Sequence, residues 1–165
     1  MVVRCDMLPD GALVKLLQPL HLRVATVEID NDIPGSYWGA PEAGLVGDSL
    51  YLRPDTPVHS ALHEAAHALC MDATRRAELH TDAGGDDQEE SAVCYLQAVL
   101  AARLAGYSQD QLFADMDAWG YSFRLGSSRA WFEQDAEDAR QWLLEQRPAL
   151  LDDADMLQSE KHRGA

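Results

Sequence analysis

A single α+β domain, with a small sheet followed by a larger set of helices, is the architecture this sequence predicts. Three observations lead there. Segments of strand-like composition fall in the first third of the chain. Helical spacing of apolar residues dominates the other two thirds. A length of 165 residues with 47% hydrophobic content is enough for one substantial core. The domain is expected over residues 1–147, with the polar stretch 148–165 as a frayed tail.

Residues 9–18 read as a first helix. Residues 21–29, carrying Leu22, Val24, Val27 and Ile29, read as a strand. The Gly- and Pro-rich stretch 33–48 contains Tyr37 and Trp38 and reads as a loop that ends in a turn at Gly47-Asp48-Ser49. Residues 50–53 read as a short strand. A second helix then starts, with Thr56 able to cap it and Pro57 suited to its first position. Residues 91–104 place Val93, Leu96, Leu100 and Leu104 on one helical stripe. Residues 108–119 form a further helix, and 127–146 a long amphipathic one anchored by Trp131, Phe132 and Trp142.

The second helix carries His63-Glu64-Ala65-Ala66-His67. Residues four apart lie one turn up and about 40° round on a helix, so His63 and His67 can share one metal ion while Glu64 stands beside them. This is the HExxH pattern: two zinc ligands, and a general base that takes a proton from the water the zinc activates. Val58, Leu62, Ala65 and Leu69 form the aliphatic stripe of the helix. Its histidines lie off that stripe, which suits ligands facing a cleft better than histidines packed in a core.

A catalytic zinc needs a third protein ligand when one position is kept for water. The acidic cluster Asp86-Asp87-Gln88-Glu89-Glu90 precedes the helix of residues 91–104. Projected onto that helix, Glu89 falls on the stripe of Val93, Leu96 and Leu100, whereas Glu90 turns aside. A carboxylate on a buried stripe needs a partner or a metal, so Glu89 is the expected ligand. A helix start shifted by a residue or two would bring Glu90 or Asp86 to the metal instead. His80, Asp82 and the cysteines come after them. The remaining acidic residues suit the helix N-terminus.

The pattern His63-Glu64-Ala65-Ala66-His67 followed by a Glu-bearing helix resembles the gluzincin branch of the zincin-like metallopeptidases. The run from His63 to Leu100 further resembles small bacterial zincin-domain proteins of unassigned substrate. It includes Cys70-Met71-Asp72, the stretch from His80 to Asp86, and Ala92-Val93-Cys94-Tyr95-Leu96-Gln97. The resemblance implies a zincin-like fold in which a small sheet packs on a zinc-binding helix pair, with peptide-bond hydrolysis as the activity. It implies Zn2+ held by His63, His67 and Glu89, with Glu64 as base, and a sheet edge along which an extended peptide pairs. The metzincin extension fails, because Cys70 and Ala73 stand where its Gly and third His would be. The Asp that follows the ligand Glu by four residues in thermolysin-like enzymes is also missing: Val93 and Cys94 occupy those places. Tyr121 and Arg124 are candidates to stabilise an oxyanion. His59 falls in the first turn of its helix, where solvent exposure is usual.

Net charge is −15, from 28 acidic and 13 basic side chains, which argues against nucleic acid or an anionic membrane as partner. A peptide or protein substrate remains. Three cysteines and no Cys-rich framework argue against dependence on disulfides, and no stretch reads as a signal peptide or a membrane span, so the cytoplasm is the expected location. Two other classes stay open: a non-catalytic zincin-fold domain that binds metal and a protein partner, and a deformylase-like amidase with a cysteine ligand.

Overall fold

The computed structural model describes residues 1–82 and 84–151. Short apolar runs build the sheet first. Strand β1 (Arg23–Thr26) pairs in parallel with β3 (Ser49–Leu52), and β2 (Gly44–Val46) pairs with β3 antiparallel, giving the order β1-β3-β2. Alternation sends Leu50 and Leu52 inward with Leu45 beside them, all buried. Strand β1 is shorter than the expected 21–29, and β2 lies inside the stretch expected to be a loop. Two glycines make that strand possible. A Cβ on Gly44 would stand 2.1 Å from the Pro34 carbonyl oxygen, and one on Gly35 2.2 Å from that of Leu45.

The outer edge of β2 is taken up by the chain itself. The Leu45 N–H donates to Gly35 O at 3.3 Å, its carbonyl accepts from the Thr81 N–H at 3.0 Å, and the Gly47 N–H donates to Leu79 O at 2.8 Å. Of the two sheet edges, the one along β2 is therefore already paired and cannot receive an extended peptide.

Helix α1 (Ala12–Leu17) is the core of the expected 9–18, with Leu13 and Leu17 buried. Helix α2 (Val58–Cys70) starts one residue later than expected, with Pro57 at the cap position. Thr56 is wholly buried and does not cap the helix. Its hydroxyl accepts instead from the Arg53 N–H at 2.8 Å, closing the turn between β3 and α2. A short polar helix, α3 (Ala73–Glu78), adds to the expected elements; Asp72 caps it through the Arg75 N–H.

Helix α4 (Asp87–Arg103) begins four residues before the expected Ser91 because the Asp86 carboxylate accepts from the Glu89 N–H at 2.9 Å. It packs against α2, against α5 (Gln109–Trp119) and against α7 (Glu137–Gln146), so it is buried on nearly every side from Ala92 to Ala101. The expected single helix over 127–146 is two, α6 (Ser128–Gln134) and α7, broken at Asp135 and Ala136. Asp135 pairs with Arg124 there, and Ala136 is buried. The bend lets Trp131 of α6 and Leu143 of α7 both reach the core. Of the expected tail, residues 148–150 form a 3-10 turn and Leu151 is buried. The remainder, 152–165, lies outside the described residues. Among those described, no helix is long and apolar enough to cross a membrane, and Cys5, Cys70 and Cys94 are all free.

Candidate metal centre

Helix α2 keeps its aliphatic side in the core, with Ala61, Leu62, Ala65 and Leu69 buried. That leaves His63, Glu64 and His67 lining a cleft of about 690 Å³. The two imidazole rings meet nearly edge-on, with centroids 4.8 Å apart.

The third group is Glu90. Its Oε1 lies 3.3 Å from His63 Nε2 and its Oε2 3.4 Å from His67 Nε2. The three residues place one donor atom each within 4.8 Å of one another. The expectation that Glu89 faces the histidines is overturned. Glu89 is 6% exposed, as its stripe predicted, but its carboxylate accepts from Arg75 at 3.0 and 3.1 Å. The buried charge on the aliphatic stripe is balanced by a guanidinium.

Glu90 lies off the aliphatic stripe because α4 has two faces that matter. Glu89, Val93, Leu96 and Leu100 look into the packed interior. Glu90, Cys94 and Gln97, spaced i, i+4, i+7, look toward α2. Gln97 is wholly buried. Its amide is oriented by donation from Nε2 to the His59 carbonyl at 2.8 Å, which leaves Oε1 3.1 Å from His63 Nδ1. His63 therefore carries a hydrogen on Nδ1, and its Nε2 is the atom that faces Glu90. Cys94 lies between Glu90 and Gln97 on this face and lines the same cleft. The sequence signal that could have found this set is the polar spacing 90, 94, 97 inside an otherwise apolar helix.

The electrostatics couple these groups to one another. Burial would lower the His63 pKa, but hydrogen bonds with Cys94 and Glu90 outweigh it and raise the value well above that of free histidine. Hydrogen bonds from His63 and His67 hold the Glu90 carboxyl far below the usual carboxylate range. Burial, only partly offset by the two histidines, raises Glu64. A carboxylate of raised affinity for a proton beside a set of donors is what a general base requires.

The donor set fits a metal ion. Ligand arms of ~2.1 Å in tetrahedral array put neighbouring donors ~3.4 Å apart; each histidine has one Glu90 oxygen at that distance, and the one-atom-per-residue set spans up to 4.8 Å, so the side chains would draw in slightly around an ion. His67 Nδ1 is buried with no hydrogen-bond partner, so nothing else commits that ring.

The other candidates fall elsewhere. His59 is 1% exposed, not at the surface, because Trp119 and Tyr121 cover the first turn of α2. Burial lowers its pKa to about 4, and its Nδ1 bonds Tyr121 Oη at 3.1 Å. His80 is exposed, its Nδ1 on the Thr81 hydroxyl. Asp86 caps α4, and Asp82 holds the Gly84 N–H. Cys70 is a buried thiol, pushed up to about 12 by desolvation. Tyr121 lines the cleft and burial raises its pKa, keeping it a phenol that can donate. Arg124 is mostly exposed, paired with Asp135, and does not line the cleft.

No family model, curated protein or solved structure matches this chain. Fold and site define its class on their own terms: a mixed α+β chain with a His–His–Glu donor set and a half-buried carboxylate, Glu64, in one cleft.

Proposed function

We propose that this chain is a zinc-dependent peptidase of zincin-like fold, with His63, His67 and Glu90 as metal ligands and Glu64 as general base. The observation that carries the reading is the convergence of the three donors beside Glu64 in one cleft. The donors alone would suit several divalent transition metals. The base beside them is what points to hydrolysis.

Zinc held there would supply Lewis acidity toward a carbonyl and a water. The protein groups do the rest. Glu64, raised by burial, accepts the proton of the attacking water and returns it to the leaving amine. Gln97 fixes the His63 tautomer and ring plane. With the hydrogen of His59 on Nδ1, that ring donates to Tyr121 and leaves the Tyr121 hydroxyl as a donor to the developing oxyanion.

Metal content and turnover test this together. About one zinc per chain is expected in protein purified without chelators, and Glu64→Gln should retain it while lowering peptide hydrolysis by about 10²–10⁴-fold. Protein that stays metal-free after zinc addition would sink the proposal. Bound zinc with no cleavage of any peptide pool would favour the metal-binding, non-catalytic alternative.

A further inference from the structure

The cleft extends beyond the donor set, and its outer wall has a chemistry that the hydrolytic reading leaves unused. Three aromatic side chains stand there in water: Tyr37 is 56% exposed, Trp38 76% and Trp119 43%. Tyr37 and Trp38 meet edge-on with centroids 4.9 Å apart, so their faces are not consumed by stacking on each other. Exposed rings grouped at a cleft mouth mark a place where something is covered on binding.

Beside them stands Glu42. One of its oxygens accepts from Trp119 Nε1 at 2.8 Å, a bond that joins the loop before β2 to the end of α5 across the cleft. Among the described residues no Lys or Arg lines the cleft, whereas Glu42, Glu64, Asp82 and Glu90 all do. Glu90 pairs with the two histidines, Glu64 stands beside them as the proposed base, and Asp82 holds its own loop. Glu42 is thus a fixed carboxylate with no cationic partner among the described residues.

Taking from the proposed function only that a peptide lies in this cleft, we propose that Glu42, Trp38 and Tyr37 form a subsite for a cationic side chain, Lys or Arg. The choice rests on what each occupant would leave undone. An apolar side chain would cover the rings but desolvate Glu42 without pairing it. An acidic one would meet the carboxylates of the cleft. A guanidinium or ammonium satisfies both requirements, lying against the ring faces while pairing with the free oxygen of Glu42. Substrates are then basic peptides, drawn in by the chain's charge of −15 and sorted by this subsite.

The test is equilibrium dialysis of zinc-loaded Glu64→Gln protein against three pools of acetylated heptapeptides that differ only in a central Arg, norleucine or Glu. The Arg pool should bind about tenfold more tightly than the norleucine pool, with the Glu pool weakest. Adding Glu42→Gln, which keeps an acceptor for Trp119, should bring the first ratio to within about twofold. Adding Asp138→Asn, an exposed charge on α7 outside the cleft lining, should leave it unchanged. Equal binding of the Arg and norleucine pools, binding of neither, or an Arg preference that survives Glu42→Gln would overturn the subsite. Cleavage of the same pools by zinc-loaded wild type separates the two proposals. Cutting without charge preference removes the subsite and leaves the peptidase; selective binding without cutting removes the peptidase and leaves the subsite.

Discussion

The two faces of helix α4 carry adjacent glutamates with opposite fates. Glu89 is almost fully buried and bound to Arg75. Glu90 has a side chain half exposed to solvent and meets two imidazoles. Burial alone would rank Glu89 as the more significant group. The contrast teaches that a buried carboxylate first needs a counter-charge, and a guanidinium one helix away meets that need. A carboxylate at a cleft wall, partly wet and held only by two imidazoles, is the one placed to exchange those hydrogen bonds for a metal.

The difference between the faces should appear most strongly in metal affinity. Glu90→Ala is expected to weaken zinc binding by more than about a hundredfold, beyond the range for losing an outer-shell partner, while Glu89→Ala should leave it within about threefold. A competitive titration with a chelating dye measures both. The reverse order would show that α4 presents its other face to the metal in solution.

A smaller effect should come from the residue that aligns the site-facing side. Gln97→Met keeps the volume but removes both hydrogen bonds, so His63 loses its fixed tautomer. Zinc affinity should drop about 10–100-fold with the stoichiometry still near one. An affinity equal to wild type would mean that Glu90 and Cys94 orient His63 without help from Gln97.

The smallest of these effects belongs to the interior face. Glu89→Ala should lower unfolding stability by about 1–2 kcal/mol, below the ~3–5 kcal/mol of a wholly buried pair because the Arg75 side chain is partly exposed and can turn to water. Urea denaturation of the zinc-free protein reads it. A loss of zinc with no loss of stability would contradict the assignment of Glu89 to folding.

Helices α2 and α5 were legible almost to the residue, because their apolar spacing is regular and their starts are marked by Pro57 and Ser108. That regularity placed His63, Glu64 and His67 together on a wall of the cleft. Strand β2 was hidden because it is three residues long and begins at a glycine, with its pairing supplied by distant segments. The α6–α7 break was hidden because nothing at Gln134-Asp135-Ala136 is a helix breaker. Glu90 was missed for a different reason. A helix buried all round has no single apolar stripe from which its functional side can be inferred by subtraction. Only the partners on α2 distinguish the Glu90-Cys94-Gln97 face from the one beside it.

The paired outer edge of β2 bears on how the cleft could be blocked. Peptidomimetic inhibitors commonly draw affinity from an extended backbone that adds itself to a sheet. Along β2 there is no such ladder to join, since Gly35, Leu79 and Thr81 already hold its outward amide and carbonyl groups. On the proposed reading, a blocking compound would draw its affinity from a metal-seeking group at one end and a side chain reaching Glu42 and Trp38 at the other. Its backbone would serve as a spacer.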